Sequence, residues 1–255
     1  MKSSFKRVLA VAASLVILSL VSVSSMASVV VAGTRVIFDE GESEVTIKLS
    51  NQGQAPALVQ TWIDDGNKSI SPENVSPPPF TVTPPVARID PGKGQTLRIL
   101  YTGDPLPKDK ESVFWLNVVE IPPKPSGDLV DINYLQLAFR SRFKLFFRPA
   151  GLEGKASDAP GKVVWKLKDV GNHSGLEAVN PTPYHISVAS LRVSSNGKSA
   201  CFTDGGMIDP GATKVFPLVG GIPVGAAARL HYQIINDYGG STEGDVDIGP
   251  ASPSS

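Results

Sequence analysis

The stretch Y-L-Q-L-A-F-R-S-R-F-K-L-F-F-R, residues 134–148, decides the fold class. Apolar and polar side chains alternate along it, which is the pattern of a β-strand with one buried face. As a single strand it would be about 50 Å long, whereas strands in globular proteins usually span about 17–20 Å. With Ser141 as the exception, the odd-numbered positions are apolar: Leu135, Leu137, Phe139, Phe143, Leu145 and Phe147.

An apolar strand of this length has two interpretations. In the first, its second half belongs to the core of its own domain, and its first half projects Leu135, Leu137 and Phe139 beyond that core. An exposed apolar edge of this kind is an aggregation hazard unless a partner covers it. In the second, the strand is bulged and turns a corner, so that its own core buries every apolar residue. Periodicity alone does not decide between them.

The rest of the chain carries short strand signals separated by turns. Glycine (24 residues) and proline (22 residues) are spread along all 255 positions, and no segment has a convincing amphipathic helical pattern. Short strands at this spacing predict antiparallel sandwiches, and the chain accommodates two immunoglobulin-like sandwiches of about 100 residues each. Besides 134–148, we predict strands at 29–38, 43–50, 57–63, 95–101, 112–121, 163–168, 186–193, 214–219 and 230–236.

The first 27 residues have the pattern of a secretory signal peptide. Lys2, Lys6 and Arg7 precede an apolar run at 8–21, and small residues before Ser28 suit a signal peptidase. An uncleaved membrane anchor is the alternative, but the run is shorter than the ~20 residues that span a bilayer. We therefore expect an exported mature chain, with no membrane insertion after cleavage.

Composition also suggests where one domain ends and the next begins. P-A-G-L-E-G-K-A-S-D-A-P at 149–160 has the composition of a linker, and G-P-A-S-P-S-S at the end has that of a flexible tail. We predict a signal peptide at 1–27, a first immunoglobulin-like domain at 28–150, a second at 151–248 and a tail at 249–255.

Charge and cysteine content exclude several function classes. Lysine plus arginine and aspartate plus glutamate each total 24, so the formal net charge of zero does not favour binding to nucleic acid. A lone cysteine, Cys201, excludes an intramolecular disulfide. His173, His185 and His231 lack metal-ligand spacing, and neither a G-x-S-x-G elbow nor a P-loop is present. The pair Asp64-Asp65 fits a D-D-G-N turn. We expect no catalytic residues, no metal and no cofactor.

Residues 106–123, L-P-K-D-K-E-S-V-F-W-L-N-V-V-E-I-P-P, resemble the signature of the PapD-like periplasmic chaperones of the chaperone–usher pathway. Five further stretches are similar to segments of that family. They are G-T-R-V-I-F at 33–38, T-P-P-V-A-R-I-D-P-G at 83–92, F-K-L-F-F-R-P at 143–149, N-P-T-P-Y at 180–184 and I-N-D-Y-G-G at 235–240.

This resemblance implies two immunoglobulin-like domains arranged as a boomerang. It also implies a chaperone that fills the gap in an incomplete pilus subunit with its own strand, which is donor-strand complementation, and delivers the subunit to an outer-membrane usher. Self-association of the free protein through the same edge stays open. The main alternative is a secreted two-domain immunoglobulin-like adhesin or binding module, which would bind through loops. A pilus subunit and a secreted hydrolase are less well supported.

The resemblance assigns roles to particular residues. Leu135, Leu137 and Phe139 lie where the family has its donor residues. Arg35 and Lys144 match the pair of cations that anchors the C-terminal carboxylate of the subunit. From the sequence alone, a solvated lysine on a strand face is the simpler interpretation of Lys144, and the same holds for Arg35.

A second set of residues resembles the family's ion network between the two domains. It consists of Glu111, Arg148 and Asp237, whose role would be to hold the angle between the domains. The alternative is three surface charges that contribute little to stability.

Overall fold

The computed structural model describes residues 29–66, 78–123, 137–171, 173–223 and 225–249. Their regular structure is almost entirely β-strand, arranged as two immunoglobulin-like sandwiches, which confirms the predicted fold class. The predicted signal peptide and, apart from Gly249, the predicted tail lie outside these residues. Within the described ranges, no helix is long and apolar enough to cross a membrane.

Nine strands form the first sandwich. They are β1 (Val29–Val31), β2 (Arg35–Asp39), β3 (Val45–Asn51), β4 (Ala57–Asp64), β5 (Phe80–Thr83), β6 (Val86–Ile89), β7 (Gly94–Tyr101), β8 (Ser112–Ile121) and β9 (Phe139–Arg148). One sheet has the order β1-β3-β7-β5 and the other β2-β9-β8-β4-β6. All pairings are antiparallel except that of β2 with β9, which is parallel.

The core of the first sandwich lies between the alternating inner faces of its two sheets. Its centre is aromatic, with the rings of Phe38 and Phe80 5.6 Å apart and that of Phe147 about as close to both. Leu97 and Leu116 add fully buried aliphatic side chains. The period of two that buries Phe147 sends the neighbouring even-numbered residues of β9 to the outer face of the sheet.

The second sandwich begins after a short 3-10 helix at Ala159–Lys162. Its strands are β10 (Val164–Val170), β11 (His173–Val179), β12 (Ile186–Ser195), β13 (Lys198–Phe202), β14 (Gly206–Ile208), β15 (Thr213–Pro217), β16 (Val219–Gly220), β17 (Ala228–Ile235) and β18 (Ser241–Ile248). One sheet has the order β10-β11-β15 and the other β16-β13-β12-β17-β18, with β14 also paired to β12. Trp165, Phe216 and Tyr232 pack in its core.

The segment predicted as a linker packs against the second sandwich. Leu152 and Ala156 lie on its core, and the Tyr184 hydroxyl donates a hydrogen bond to the Gly154 carbonyl at 3.0 Å. Composition indicated a break in regular structure here, but it did not indicate these contacts.

The long strand differs from its prediction. β9 starts at Phe139, and Leu137 and Ala138 are not in a strand, while residues 134–136 lie outside the described ranges. The prediction of one strand from 134 to 148 is therefore wrong at its N-terminal end. Strands β6, β11, β13, β14, β16 and β18 were also not predicted.

Candidate functional site

Two cations lie directly opposite each other on neighbouring strands of the first sandwich. The parallel register of β2 and β9 places Arg35 beside Lys144. Both side chains leave the outer face of the sheet and contact the second sandwich. Within the described residues, neither has a carboxylate oxygen within 4 Å, so this pair of charges is not neutralised by an ion pair.

Arg35 is half-buried against the second sandwich. One terminal nitrogen, Nη1, donates a hydrogen bond to the Ile235 carbonyl at 2.9 Å, and the guanidinium carbon lies 5.8 Å from the centre of the Phe146 ring. Its Nε is buried and has no hydrogen-bond partner among the described residues. Burial lowers the pKa of Arg35, although the charges of Asp237 and Glu111 oppose this shift.

Lys144 has a more strongly perturbed environment. Its Nζ donates a hydrogen bond to Ser187 Oγ at 2.9 Å and lies 5.9 Å from the centre of the Trp115 ring. Burial, followed by the positive charges of Arg35 and Lys214, lowers the pKa of Lys144 to about 8, against the opposing effect of Asp209. An anion that binds here would reduce the electrostatic repulsion between Arg35 and Lys144.

A cleft lies between the two sandwiches beside Arg35. It has a volume of about 240 Å³ and is lined by Arg35 and Phe146 from the first sandwich and by Asn236 and Tyr238 from the second, among others. The 236–240 loop approaches the first sandwich closely, because a Cβ on Gly239 (φ +83°) would lie only 2.3 Å from Thr34 Oγ1. Position 239 therefore requires glycine for two reasons: its φ is positive, and a Cβ would have no room beside Thr34.

Arg148, at the buried end of β9, joins the two sandwiches. Its Nε donates to Glu111 Oε1 at 2.8 Å, and its two terminal nitrogens donate to the Asp237 carboxylate at 2.8 and 2.9 Å. Burial acts to lower the pKa of Arg148, but the hydrogen bonds to Asp237 and the charge of Glu111 outweigh it and raise the pKa. The structure thus brings the three predicted network residues together.

His185 belongs to the same network and was not predicted. Its backbone N–H donates to Glu111 Oε2 at 2.8 Å, and its Nδ1 lies 2.9 Å from the same oxygen. A carboxylate accepts hydrogen bonds, so this contact requires the proton on Nδ1. The ring is only 5% exposed, and its Nε2 lies 3.9 Å from Asp209. The available signal was its position directly after N-P-T-P-Y.

Apolar side chains are exposed at the N-terminal end of β9 and directly before it. Leu137 is 53% exposed and Phe139 is 65% exposed, whereas Leu145 and Phe147 are buried. The alternative in which the domain's own core buries every apolar residue of this strand therefore does not hold for Leu137 and Phe139. Leu135 lies outside the described residues.

β9 pairs with β8 along most of its length, but it pairs with β2 over only part of it. Its ladder to β8 runs from Phe147 to Phe139, but its ladder to β2 covers only Lys144 to Arg148. Within the described part of the chain, the β2 side of β9 is therefore an open sheet edge at Phe139, Ser141 and Phe143. An open edge with exposed apolar residues can accept a further strand.

The outer face of β9 is bound to its own sheet by a network centred on Asp64. Asp64 ends β4, is fully buried, and forms ion pairs with Arg140 and Arg142. Its Oδ1 also accepts a hydrogen bond from the Gly66 N–H at 2.8 Å, so the predicted turn is present but is only part of this residue's environment. Within the described ranges, no group of three or more His, Cys, Asp or Glu residues is arranged to hold a metal.

Two family models together match most of the chain. That of the N-terminal domain of PapD, a pili and flagellar-assembly chaperone, matches residues 28–153, and that of the C-terminal domain of the pili assembly chaperone PapD matches residues 158–246. The chain therefore belongs to the PapD family of pilus-assembly chaperones. This is a family of chaperones and not of enzymes.

Individual relatives agree with this assignment. The chain is 43% identical over 229 residues to the probable fimbrial chaperone YadV of Escherichia coli, covering 89% of this chain and 92% of that protein. It is 47% identical over 223 residues to the chaperone protein FimB/FhaD of Bordetella pertussis, covering 86% of this chain and 87% of that protein.

Solved structures show the same similarity. The crystal structure of the YadV chaperone aligns with a TM-score of 0.73 at 42% identity, over 87% of this chain and all of that one. A chain from the complex of the Salmonella enterica SafA pilin with the SafB chaperone aligns with a TM-score of 0.70 at 30% identity, over 87% of this chain and 96% of that one.

Proposed function

We propose that this protein is a periplasmic chaperone that binds pilus subunits by donor-strand complementation and delivers them to an outer-membrane usher. The observation that carries the proposal is the arrangement of β9. Lys144 on this strand forms an unneutralised pair of cations with Arg35 of the neighbouring β2, and the N-terminal half of the strand offers an open, apolar edge. The resemblance of the first 27 residues to a signal peptide supports the periplasmic location.

The cation pair is the anchor for the C-terminal carboxylate of the subunit. Arg35 and Lys144 repel each other across adjacent strands, and a carboxylate accepts hydrogen bonds from both. Each charge-assisted hydrogen bond contributes about 1.5–3 kcal/mol, and the partial burial of both cations reduces screening by water. The anchor fixes one end of the subunit, which sets its register along β9.

The open edge of β9 supplies the missing strand of the subunit. The backbone of β9 pairs with the subunit edges, while Phe139, Leu137 and Leu135 enter its apolar groove. Burial of each such side chain contributes about 1.5–3 kcal/mol. The ion network of Glu111, Arg148 and Asp237 holds the second sandwich beside the anchor, where Ile235 and Ser187 contact Arg35 and Lys144.

The relatives support the choice of partner. A chain of the complex between the SafA pilin and the SafB chaperone has the fold of this protein at 30% identity. We infer that the partners of this chain are pilus subunits of the same kind, and that delivery to the usher follows from membership of the family. The proposal requires no metal and no cofactor.

The test is recovery of partners from the periplasm of the native host. Tagged wild-type protein is compared with Lys144→Ala and with Lys93→Ala, an exposed turn lysine of the same sandwich. Wild type and Lys93→Ala are expected to retain small fimbrial subunits, identified by mass spectrometry, whereas Lys144→Ala loses them. Equal retention by Lys144→Ala would contradict the anchor, and an absence of fimbrial subunits from every sample would favour the adhesin or binding-module alternative.

A further inference from the structure

Asp64 is a fully buried carboxylate, and neither the carboxylate anchor nor the network between the two sandwiches explains its burial. A buried carboxylate is costly unless charged and hydrogen-bonding partners surround it. Here it has four such partners: Gly66 N–H at 2.8 Å, Asn117 Nδ2 at 2.7 Å, Arg142 Nη2 at 2.5 Å and Arg140 Nη2 at 3.3 Å. The two arginines come from β9, and the other two partners come from the turn after β4 and from β8.

The network crosses three neighbouring strands. The register places Asp64 opposite Trp115 on β8, and Trp115 opposite Lys144 on β9. Asp64 is thus two strands away from Lys144, about 10 Å at the usual strand spacing. From this position its carboxylate forms ion pairs with Arg142 and Arg140, which lie two and four residues before Lys144, toward the open end of β9.

Each arginine is also held by an aromatic ring. The guanidinium of Arg140 lies 4.9 Å from the centre of the Trp62 ring, and that of Arg142 lies 4.7 Å from the centre of the Trp115 ring. Arg140 Nε donates a further hydrogen bond to Asn117 Oδ1 at 2.8 Å. Both guanidinium groups are therefore fixed on the outer face of the sheet by contact with an aromatic ring as well as by charge.

Without Asp64, this arrangement would be unfavourable. Arg140 and Arg142 are like charges on one face of the same strand, and burial followed by the charge of Arg142 lowers the pKa of Arg140, whereas Asp64 raises it. The single carboxylate therefore balances the repulsion that would otherwise separate the two side chains and loosen this end of β9.

Fixing the even-numbered residues also fixes the odd-numbered ones. Side chains of a strand alternate between its two faces, so a slip of one residue would exchange the two sets. While Arg140 and Arg142 are held on the outer face, Phe139 and Phe143 must point to the opposite face. β2 gives no support here, because its ladder to β9 stops at Lys144.

We propose that Asp64 is a positioning residue that holds the open half of β9 extended and in register, ready for strand addition. The inference rests on the proposed function for its purpose, but the positioning itself is a property of the free protein. It assigns the fully buried Asp64 a role in partner capture that acts through Arg140 and Arg142.

The experiment measures backbone amide hydrogen exchange of the mature protein in wild type, Asp64→Asn and Arg140→Lys, with Asp90→Asn as the control. Asp90 is an exposed carboxylate of the same sandwich, paired to Arg88. Asp64→Asn is expected to speed exchange at 139–143 by tenfold or more, and Arg140→Lys by a smaller factor. Exchange in β3 and β7, which belong to the other sheet, should stay within twofold of wild type, and so should exchange throughout Asp90→Asn.

Several results would overturn the proposal. They are unchanged exchange at 139–143, acceleration spread equally over both sheets, or loss of the folded near-ultraviolet dichroism signal in both Asp64→Asn and Arg140→Lys, which would make Asp64 a general fold determinant. Recovery of fimbrial subunits from the periplasm separates this inference from the proposed function. Localised acceleration without any subunit recovered by wild type contradicts the function only, whereas recovery by wild type with unchanged exchange in Asp64→Asn contradicts the positioning role only.

Discussion

Arg35 and Lys144 lie side by side on parallel strands of one sheet, and each donates a hydrogen bond to the second sandwich. Among the described residues, no carboxylate pairs with either cation. Adjacent like charges that are partly buried destabilise the free protein, and they are stabilised by an anion that binds both. The positive charges of Arg35 and Lys144 therefore have two effects: they lower the stability of the free chaperone, and they raise its affinity for a carboxylate.

Partner binding should weaken as the pH rises through about 8. The pKa of Lys144 is lowered to about 8, and the anchor requires the charged ammonium, so above this pH binding must first recover a proton. The affinity for a captured subunit is expected to fall by up to tenfold per pH unit between pH 8 and 10. Dissociation constants measured across pH 6.5–10 test this prediction. In Lys144→Met, the loss of affinity that begins near pH 8 should be absent.

The stability of the free protein should respond to Lys144 in the opposite direction. Because the folded pKa lies below the value of about 10.4 of an unperturbed lysine, the unfolded state binds more protons between pH 8 and 10.4. The contribution of Lys144 to the free energy of unfolding therefore rises with pH in this window. The difference between wild type and Lys144→Met in denaturant unfolding measures it, and a difference that falls with pH would contradict the assigned direction.

Removal of Arg35 should move the pKa of Lys144 upward. Arg35 is the second cause of the lowering, after burial, because its charge faces the ammonium from the neighbouring strand. In Arg35→Met, carbon-13 resonances of methylated lysines should show Lys144 titrating closer to its usual range. Arg98 lies on β7 of the other sheet and its guanidinium pairs with Glu44, so Arg98→Met is the control and should leave Lys144 unchanged.

Phe139 and Phe147 lie on the same strand and should separate binding from stability. Phe139 is 65% exposed, so Phe139→Ala should change the free energy of unfolding by less than about 0.5 kcal/mol. The same substitution should weaken partner binding by about tenfold or more, from lost apolar burial. Phe147→Ala removes a ring from the aromatic core and should cost about 3–5 kcal/mol of stability. Chemical unfolding and affinity measurements on both variants decide the matter.

The contacts of Arg148 should control the relative placement of the two sandwiches. Arg148→Met leaves the buried Glu111 carboxylate without its guanidinium partner and removes the bidentate contact to Asp237, at a cost of about 3 kcal/mol. Small-angle X-ray scattering should show a broader distribution of shapes. The exposed Arg229→Met is the matched control, and an unchanged scattering profile in Arg148→Met would rule out the network as the main interdomain contact.

The sequence predicted the strands whose formation depends on their own residues and on the turns next to them. β8 has the predicted bounds, because an apolar run ended by Pro122-Pro123 has few alternatives. β11 and β18 escaped prediction since H-S-G-L-E-A-V and S-T-E-G-D-V-D-I mix glycine and charges, and only their neighbours in the sheet make them strands. The start of β9 at Phe139 likewise depends on where β8 ends its ladder.

The same distinction applies to the site. The resemblance to a known family was enough to indicate five site residues: Arg35, Lys144, Glu111, Arg148 and Asp237. Asp64 was explained by its turn, because the arginines that bury it follow 76 and 78 residues later in the chain. His185 was judged only as a metal ligand, and its true contact, Glu111, lies 74 residues away.

The most direct test of the central claim is site-specific photo-crosslinking from position 139 in the native periplasm. A photoreactive phenylalanine replaces Phe139 in one variant and exposed Val215, on the second sandwich, in another. Donor-strand complementation predicts that position 139 crosslinks to fimbrial subunits, that position 215 does not, and that Lys144→Ala abolishes the crosslink. Subunits crosslinked equally from both positions, or a crosslink at 139 that is indifferent to Lys144→Ala, would contradict the account.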